Sequence, residues 1–285
     1  ILPTNTFIAT ALAVTRCGAT PVFVDNDEFY LIDRKEVEKK ITRKTKAIIA
    51  VNLYGQLANL KELNKIAKAN SLKLIEDSAQ SHGASNASFS NNYSVAAAYS
   101  FYPGKNLGAW GDGGAVTTNN KKLYEKIVLL RNWGSVKKYY HLEKGFNSRL
   151  QPLQGVVLSE KIKKLDFWNK QRNIIAHKYL ESLSEIDSIV LPKVMNENYH
   201  VWHLFVIRTK KRNKILSEFE THKIEFGIHY PVPIHRQKAY KDHKQYGSSV
   251  SLADQYSSQL LSLPIFPKMK DKEIERVIDT VKQYV

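Results

Sequence analysis

Several residue types that would point to particular functions are scarce or missing in this sequence. Its 285 residues include one cysteine, Cys17, which excludes a disulfide framework and a cysteine-based structural zinc site. No His-Glu-x-x-His motif or cysteine pair suggests a catalytic metal, so we expect none. The longest apolar runs fall well short of the roughly 20 residues of a membrane span, so we expect no membrane partner. A lone cysteine also fits a reducing compartment, and we expect a cytoplasmic protein.

Acidic residues are also in short supply. The chain has 27 Asp and Glu against 43 Lys and Arg, which gives a formal net charge of +16. Such a charge makes a nucleic-acid-binding regulatory protein an alternative. However, the lysines are scattered along predicted helices, often beside glutamate, and no helix-turn-helix, zinc-finger or aromatic-basic RNA signature is present. We therefore expect a lysine-rich solvated surface and no nucleic-acid partner.

The chain also lacks an initiator methionine. It opens on Ile1-Leu2, an apolar pair followed by turn-type residues, with no charged region leading into an apolar stretch as in a signal peptide. We therefore expect residue 1 to lie within a domain. We expect that an N-terminal part of the protein precedes it.

The first half of the chain alternates short apolar strands with amphipathic helices. Strands are predicted over 22–25, 47–51 and 72–75, and helices over 34–45 and from Asn59 onward. This alternation is the sequence form of a doubly wound α/β layer, in which ligands gather beyond the carboxyl ends of the strands. Asp77 lies at such an end.

The second half has a different character. Strands are predicted over 95–101, 115–118 and 201–207, and helices from 154 to about 183 and over 271–285. A turn-rich loop over 103–108 follows the first of these strands. We therefore predict a large α/β domain over residues 1–153, followed over residues 154–285 by a linking helix and a small α+β domain.

Lys105 has unusual company for a lysine. The residues around it are glycine or aromatic, namely Phe101, Tyr102, Gly104, Gly108 and Trp110. A lysine in a dry, shaped loop has a lowered pKa, and its neutral amine can attack carbonyls to form a Schiff base. Pyridoxal phosphate (PLP) uses such an amine, and it also needs a carboxylate at its pyridine nitrogen and donors for its phosphate. Asp77 and Ser100 are candidates for these two roles.

Several ordered segments carry a further signal. Two of them are Glu-Asp-Ser-Ala-Gln-Ser-His-Gly-Ala over 76–84 and Ser-Phe-Tyr-Pro-Gly-Lys-Asn-Leu-Gly-Ala over 100–109. The others span 4–10, 18–25, 111–115, 131–134, 145–149, 229–235 and 261–264. Together they resemble the PLP-dependent nucleotide-sugar aminotransferases of the DegT/StrS family over essentially the whole chain. The resemblance implies an aspartate-aminotransferase-like fold of type I, with a large α/β/α domain, a smaller C-terminal α+β domain and PLP as cofactor.

The resemblance also implies roles for five residues. Lys105 matches the lysine that holds PLP and then moves a proton as general acid and base. Asp77 matches the carboxylate that pairs with the pyridine nitrogen, and Gln80 matches the residue that hydrogen-bonds the phenolic oxygen. Ser100 matches a phosphate-binding hydroxyl. Phe7 matches the ring that stacks on the pyridine face, although, apart from the resemblance, a phenylalanine at this position is more often a core residue.

Two further matched segments imply contacts with a second subunit and with the substrate. Asn147 lies in the segment that, in this family, reaches the phosphate of the neighbouring subunit, which implies an obligate homodimer. His229, Tyr230 and His235 lie near the sugar-nucleotide entrance, where the two histidines either contact substrate or make structural hydrogen bonds. The family's phosphate-binding Ser-Gly-Thr element is not in this sequence, and we expect it upstream of residue 1.

The lysine loop and the Tyr-Pro-Val-Pro-Ile-His motif indicate a substrate class. They look most like enzymes that aminate C3 of dTDP-3-keto-6-deoxyhexoses, with glutamate as amino donor. The expected product is a dTDP-3-amino-3,6-dideoxyhexose for surface polysaccharide or glycan synthesis. A UDP-linked 3-keto sugar or a 4-keto sugar is the alternative substrate. A dehydratase offshoot of the family is disfavoured, because it replaces the lysine with histidine.

Overall fold

The structure, a computed structural model, describes residues 1–86, 93–248 and 250–285. Its helices are α1 (Ala9–Arg16), α2 (Arg34–Lys40), α3 (Leu60–Ala69), α4 (Lys121–Arg131), α5 (Pro152–Ile162), α6 (Leu165–Leu183), α7 (Arg212–Thr221), α8 (Ser251–Ser257) and α9 (Asp271–Tyr284). Its strands are β1 (Leu2–Pro3), β2 (Phe23–Val24), β3 (Ala47–Val51), β4 (Lys73–Asp77), β5 (Ser85–Asn86), β6 (Ala96–Ser100), β7 (Gly114–Thr117), β8 (Ser135–Lys137), β9 (Tyr140–His141), β10 (Asn198–Tyr199), β11 (Phe205–Arg208) and β12 (Leu260–Leu263). Helices alternate with parallel strands in the first half, as the α/β prediction requires.

A four-stranded sheet in the order β3-β4-β6-β7 forms the centre of the first half. Strands β3, β4 and β6 are parallel, and β7 pairs antiparallel with β6. The β1–β2 pair lies beside β3, because the Ile49 N–H donates to the Ile1 carbonyl at 2.8 Å and the Ile1 amino group donates to the Ala47 carbonyl at 2.9 Å. Strands β4 and β6 end at the same edge, which brings Asp77 and Ser100 to that edge.

Helix α3 shows how the local sequence produces the layer that covers this sheet. The Asn59 side chain caps the helix by accepting a hydrogen bond from the Glu62 N–H at 3.2 Å. The buried face recurs at helical spacing, as predicted, and consists of Leu60, Leu63, Ile66 and Ala67. These side chains share one core cluster with residues of β3 and β4, namely Ile48, Ala50, Val51 and Leu74.

The prediction of one helix from 154 to 183 is wrong. The stretch forms two helices, α5 and α6, which are separated at Lys163 and Lys164. The break places Leu165 in a cluster with Leu107, Ala109 and Leu158, so α6 starts in contact with the loop that follows β6. Neither glycine nor proline marks the break, so the sequence pattern gave no signal of it.

The predicted strand over 201–207 is also shorter than expected and begins only at Phe205. Trp202 has a φ of +45°, which is incompatible with a β-strand. The N–H groups of the first and fourth residues of this stretch donate instead to the carbonyls of Gly55 and Tyr54. The backbone here therefore connects two loops and does not extend a sheet.

Two other predicted helices have different outcomes. The helix predicted over 34–45 ends at Lys40, and the Thr42 N–H then donates to the Thr45 hydroxyl at 2.9 Å. Such a side-chain contact competes with helical hydrogen bonding. The closing helix agrees with its prediction to within one residue, since α9 ends at Tyr284.

The second half builds its own core around the antiparallel pair β11–β12. Helices α6, α7 and α9 pack on this pair, and the largest buried side chains of the cluster are Tyr179, Trp202, Phe205 and Phe219. Val206, Tyr256 and Leu260 of the second half pack in the core of the first half, so the two cores are in contact. The domain boundary between residues 153 and 154 stays a prediction. Within the described ranges, no helix is both long and apolar enough to cross a bilayer.

Candidate active site

Asp77 is the last residue of β4, and two hydrogen bonds hold its carboxylate. The Thr10 hydroxyl on α1 donates to Oδ2 at 2.7 Å, and the Ala79 N–H donates to Oδ1 at 3.1 Å. The side chain is half-buried. The Asp77 carboxylate therefore has a fixed orientation at the edge of the sheet.

Lys105 lies in the loop that follows β6. Its N–H donates to the Tyr102 carbonyl at 2.9 Å, and the Ala109 N–H donates to the Phe101 carbonyl at 2.8 Å, so the loop closes on itself. Burial lowers the pKa of Lys105, and the negative charge of Asp77 partly opposes this shift. The amine is therefore more easily deprotonated than that of a surface lysine, and it lies within electrostatic reach of Asp77.

Three histidines lie close enough to respond to the charge of Lys105. Burial, with the Lys105 charge as a smaller cause, lowers the pKa of His82 to about 4. The same two causes lower the pKa values of His203 and His229. These shifts favour neutral imidazoles near neutral pH, so the histidines add no positive charge beside the amine.

Gln80 connects the turn after Asp77 to two tyrosines. Its Oε1 accepts a hydrogen bond from the Tyr54 N–H at 2.7 Å, and its Nε2 donates to the Tyr230 hydroxyl at 3.1 Å. The Tyr230 ring centroid lies 5.9 Å from that of Phe7, whose side chain is 57% exposed. Burial raises the pKa of Tyr230 to about 12, so its phenol stays neutral. Gln80, Tyr230 and Phe7 therefore form one side of the site.

Ser100 ends β6 on the same edge of the sheet as Asp77. Its hydroxyl oxygen accepts a hydrogen bond from the Tyr102 N–H at 3.3 Å, and the side chain is half-buried. The Ser100 O–H can still donate to an anion such as a phosphate, because the bond from Tyr102 uses only an acceptor position.

Sequence reasoning missed two residues of this site. Thr10 holds Asp77, and its only signal was its place in the matched segment 4–10. Tyr54 positions Gln80 through its N–H, and its hydroxyl donates to the His229 carbonyl. No matched segment contained Tyr54, so the sequence offered no signal for it.

The remaining predicted site residues have different surroundings. His229 is half-buried, and its Nδ1 lies 2.8 Å from the Ser262 hydroxyl. His235 is completely buried, with its Nδ1 2.7 Å from the Thr4 hydroxyl, which favours the structural alternative for this histidine. Asn147 is exposed in a separate segment, where its Oδ1 accepts a hydrogen bond from Arg149 at 3.1 Å.

The residues at the sheet edge fit PLP. Lys105 has an amine of lowered pKa for an aldehyde carbon, and Asp77 has an anchored carboxylate for a ring nitrogen. Phe7 has a largely exposed side chain for stacking, and the Ser100 hydroxyl has an O–H donor for a phosphate. The individual roles of these residues stay predictions, but the set of groups is the one that PLP requires.

Comparisons with known proteins agree with this arrangement. The chain is 48% identical over 286 residues to a dTDP-3-amino-3,6-dideoxy-alpha-D-galactopyranose transaminase from Aneurinibacillus thermoaerophilus, and the match covers 100% of this chain and 78% of the relative. The crystal structure of S. venezuelae DesV in complex with a ketimine intermediate superposes with a TM-score of 0.94 at 41% identity, covering 99% of this chain and 77% of that one.

A second solved structure concerns the cofactor. The structure of NtdA from Bacillus subtilis with bound cofactor PMP has a TM-score of 0.91 at 31% identity, and the match covers 99% of this chain and 66% of that chain. The model of the DegT/DnrJ/EryC1/StrS aminotransferase family matches residues 1–282. The predicted fold of type I and the predicted PLP cofactor are confirmed. The chain belongs to the DegT/DnrJ/EryC1/StrS aminotransferase family.

Proposed function

We propose that this chain transfers the amino group of glutamate to C3 of a dTDP-3-keto-6-deoxyhexose and so makes a dTDP-3-amino-3,6-dideoxyhexose. The observation that carries the proposal is that the anchored Asp77 carboxylate ends β4, while Lys105 lies in the loop that follows the adjacent parallel strand β6. The name of the 48% identical relative, a transaminase of a dTDP-3-amino-3,6-dideoxyhexose, supports the substrate class. We further propose that the product serves surface polysaccharide or glycan synthesis and that the protein acts in the cytoplasm.

The proposed chemistry divides between Lys105 and Asp77. When bound, PLP supplies an electron sink for negative charge that develops at the substrate carbon. The Asp77 carboxylate, held by Thr10 and the Ala79 N–H, favours the protonated form of a facing ring nitrogen. With the cofactor bound, the Lys105 Nζ would carry a proton from the α-carbon of glutamate to the cofactor's aldehyde carbon. In the second half-reaction it would carry a proton from that carbon to C3 of the sugar. The lowered pKa of Lys105 supports this role, because only the neutral amine can accept a proton.

The neighbouring residues bind and orient in this proposal. Gln80 would donate to the phenolic oxygen of the cofactor, Ser100 would donate to its phosphate, and Phe7 would stack on its ring. The fixed position of the Gln80 carboxamide between Tyr54 and Tyr230 supports the first of these roles. His229 and Tyr230 line the entrance for the sugar, next to Phe7.

We also propose that the active protein is a homodimer in which Asn147 reaches the phosphate site of the partner subunit. The segment that contains Asn147 carries exposed apolar side chains, namely Trp133, Val136, Tyr139, Tyr140, Leu142 and Phe146. Of these, Tyr139 is 81% exposed. A surface of this composition favours burial against another protein, and a second copy of this chain is the occupant that a shared site requires.

Colour provides a direct test of the cofactor role. The purified protein with PLP should show a visible absorption band that borohydride bleaches. Lys105→Ala should lack this band, whereas Lys170→Ala, which removes an exposed lysine of α6, should keep it. A colourless wild type that gains no band with PLP would contradict the proposal and would favour the nucleic-acid-binding alternative.

The substrate is tested in the second half-reaction. Glutamate should first remove the visible band of the wild type by converting the cofactor to its amino form. The dTDP-3-keto-6-deoxyhexose should then restore the band faster than a UDP-linked 3-keto sugar or a dTDP-4-keto sugar. Faster recovery with either of the other two sugars would replace the proposed substrate by that class.

A further inference from the structure

One side chain of helix α6 contacts both loops that carry the proposed cofactor-binding residues. Asn169 is 1% exposed, and its Oδ1 accepts a hydrogen bond from the Asn106 side chain at 2.9 Å. Its Nδ2 donates to the His82 carbonyl at 2.9 Å. Asn106 follows Lys105 directly in the chain, and His82 lies two residues beyond Gln80. We propose that Asn169 is a positioning residue that fixes the Lys105 loop relative to the Asp77–Gln80 turn, an inference that rests on the proposed function.

In the lysine loop, Asn169 contacts the Asn106 side chain, which also makes hydrogen bonds to two other residues. The Asn106 Nδ2 also donates to the Val201 carbonyl at 2.9 Å, and its Oδ1 lies 3.1 Å from the His203 Nδ1. Both donor and acceptor atoms of Asn106 therefore have partners, and the side chain is buried. Without Asn169, the Asn106 side chain loses one of its three partners, and the residue next to Lys105 is held only by Val201 and His203 among the described residues.

The contact with the other loop is equally close. A Cβ added at Gly83 would meet the Asn169 Nδ2 at 2.7 Å, so the turn after Gln80 packs directly against this carboxamide. The turn itself is narrow, because the Ser81 N–H donates to the Ser78 carbonyl at 3.2 Å. A shift of the His82 backbone would therefore be passed on to Gln80 and Asp77.

The next residue on the same face of α6 provides a matched control. Asn173 lies one turn after Asn169, where its Nδ2 donates to the His200 carbonyl at 2.9 Å and its Oδ1 accepts from the Trp202 ring N–H at 3.2 Å. The Asn173 Nδ2 also donates to the Asn169 backbone carbonyl at 3.0 Å, so Asn173 contacts its own helix and the segment at 200–202, and neither cofactor loop directly. Both variants lose amide hydrogen bonds made by α6, at a buried position for Asn169 and a half-buried one for Asn173, but loss of loop positioning is specific to Asn169.

The experiment compares Asn169→Ala and Asn173→Ala as holoenzymes. For Asn169→Ala we expect kcat of the glutamate half-reaction to fall about tenfold or more while KM changes little, since a small misplacement of reacting groups affects the chemical step most. The wavelength of the visible cofactor band should also shift. Asn173→Ala should lower the thermal midpoint comparably while its kcat and its band stay those of the wild type.

A conservative variant separates the two contacts of Asn169. Asn169→Asp keeps an oxygen that accepts from Asn106 and loses the donor to His82, so its kcat should lie between those of the wild type and Asn169→Ala. This variant also carries the test if Asn169→Ala does not fold. Equal effects of the Asn169 and Asn173 variants on kcat and on the band, with an active wild type, would overturn this inference alone. A wild type without the visible band would overturn the proposed function and this inference together.

Discussion

The hydroxyl of Thr10, on the first helix, donates a 2.7 Å hydrogen bond to the carboxylate of Asp77, at the end of β4. The two residues are 67 positions apart in the chain. Because the carboxylate also accepts from the Ala79 N–H, both of its oxygens are oriented by the protein. The geometry of the proposed cofactor site therefore depends on a helix that contains no predicted site residue.

Thr10→Val should weaken the binding of PLP. Valine keeps the shape of threonine but removes the O–H donor, and a hydrogen bond to a charged group contributes about 1.5–3 kcal/mol. We expect the dissociation constant of PLP to rise roughly tenfold or more, as measured by titration of the visible band. Thr15→Val is the matched control, because the Thr15 hydroxyl on the same helix donates to the Ala11 and Leu12 carbonyls of that helix. Equal PLP affinity in the two variants would contradict the role of Thr10.

Gly108→Ala should disrupt the lysine loop. A Cβ at this position would lie 2.3 Å from the Pro103 carbonyl oxygen, a distance that the backbone has to relieve by moving. Since the loop carries Lys105, we expect loss of PLP retention in gel filtration together with a lower thermal midpoint.

Gly104→Ala tests whether this effect depends on the clash. It lies in the same loop, but its Cβ would meet the Tyr102 ring at 3.6 Å, an ordinary contact. This variant should retain PLP. If Gly108→Ala retained PLP equally well, the loop would have to be less constrained than its hydrogen bonds indicate.

Asp77 and Lys105 could be found from sequence because each lies in a short local pattern. A carboxylate at the end of a buried strand and a lysine among glycine and aromatic residues are visible within about ten positions. Thr10, Tyr54 and Asn169 act through contacts between distant segments, and no local pattern records such contacts. The same limit applied to the fold, because the left-handed φ of Trp202 and the break between α5 and α6 depend on tertiary packing.

The burial of Lys105 should lower the pH at which its amine becomes reactive. Burial lowers the pKa of the amine below the 10.5 of an unperturbed lysine, and the neutral form is the one that reacts. In the apoenzyme, labelling of Lys105 by acetic anhydride should therefore rise with pH and reach half its maximum below pH 10.5. Mass spectrometry of the labelled peptide gives the midpoint.

Asp77→Asn should move that midpoint to lower pH. The Asp77 charge favours the lysine cation, so its removal leaves the effect of burial unopposed and lowers the pKa further. Asp187→Asn, which neutralises an exposed carboxylate, should leave the midpoint in place. A midpoint that rises or does not move in Asp77→Asn would show that the two groups do not interact.

Mixed dimers test whether the active site is shared. Lys105→Ala and Asn147→Ala should each have little activity alone, since one lacks the amine and the other lacks a phosphate ligand of the neighbouring site. After the two variants exchange subunits, half of the dimers are mixed, and each mixed dimer has one site with both residues intact. We therefore expect about a quarter of the wild-type activity to return.

The alternative arrangement gives a different result. If Asn147 served the site of its own chain, no mixed dimer would contain an intact site and no activity would return. Mixing Lys105→Ala with Lys105→Arg provides the control, because these subunits carry the same defect and cannot complement each other. Recovery in the first mixture but not in the second requires that Asn147 acts across the interface. A fully active monomer in sedimentation would contradict the shared site directly, because the exposed segment that holds Asn147 would then have no partner to serve.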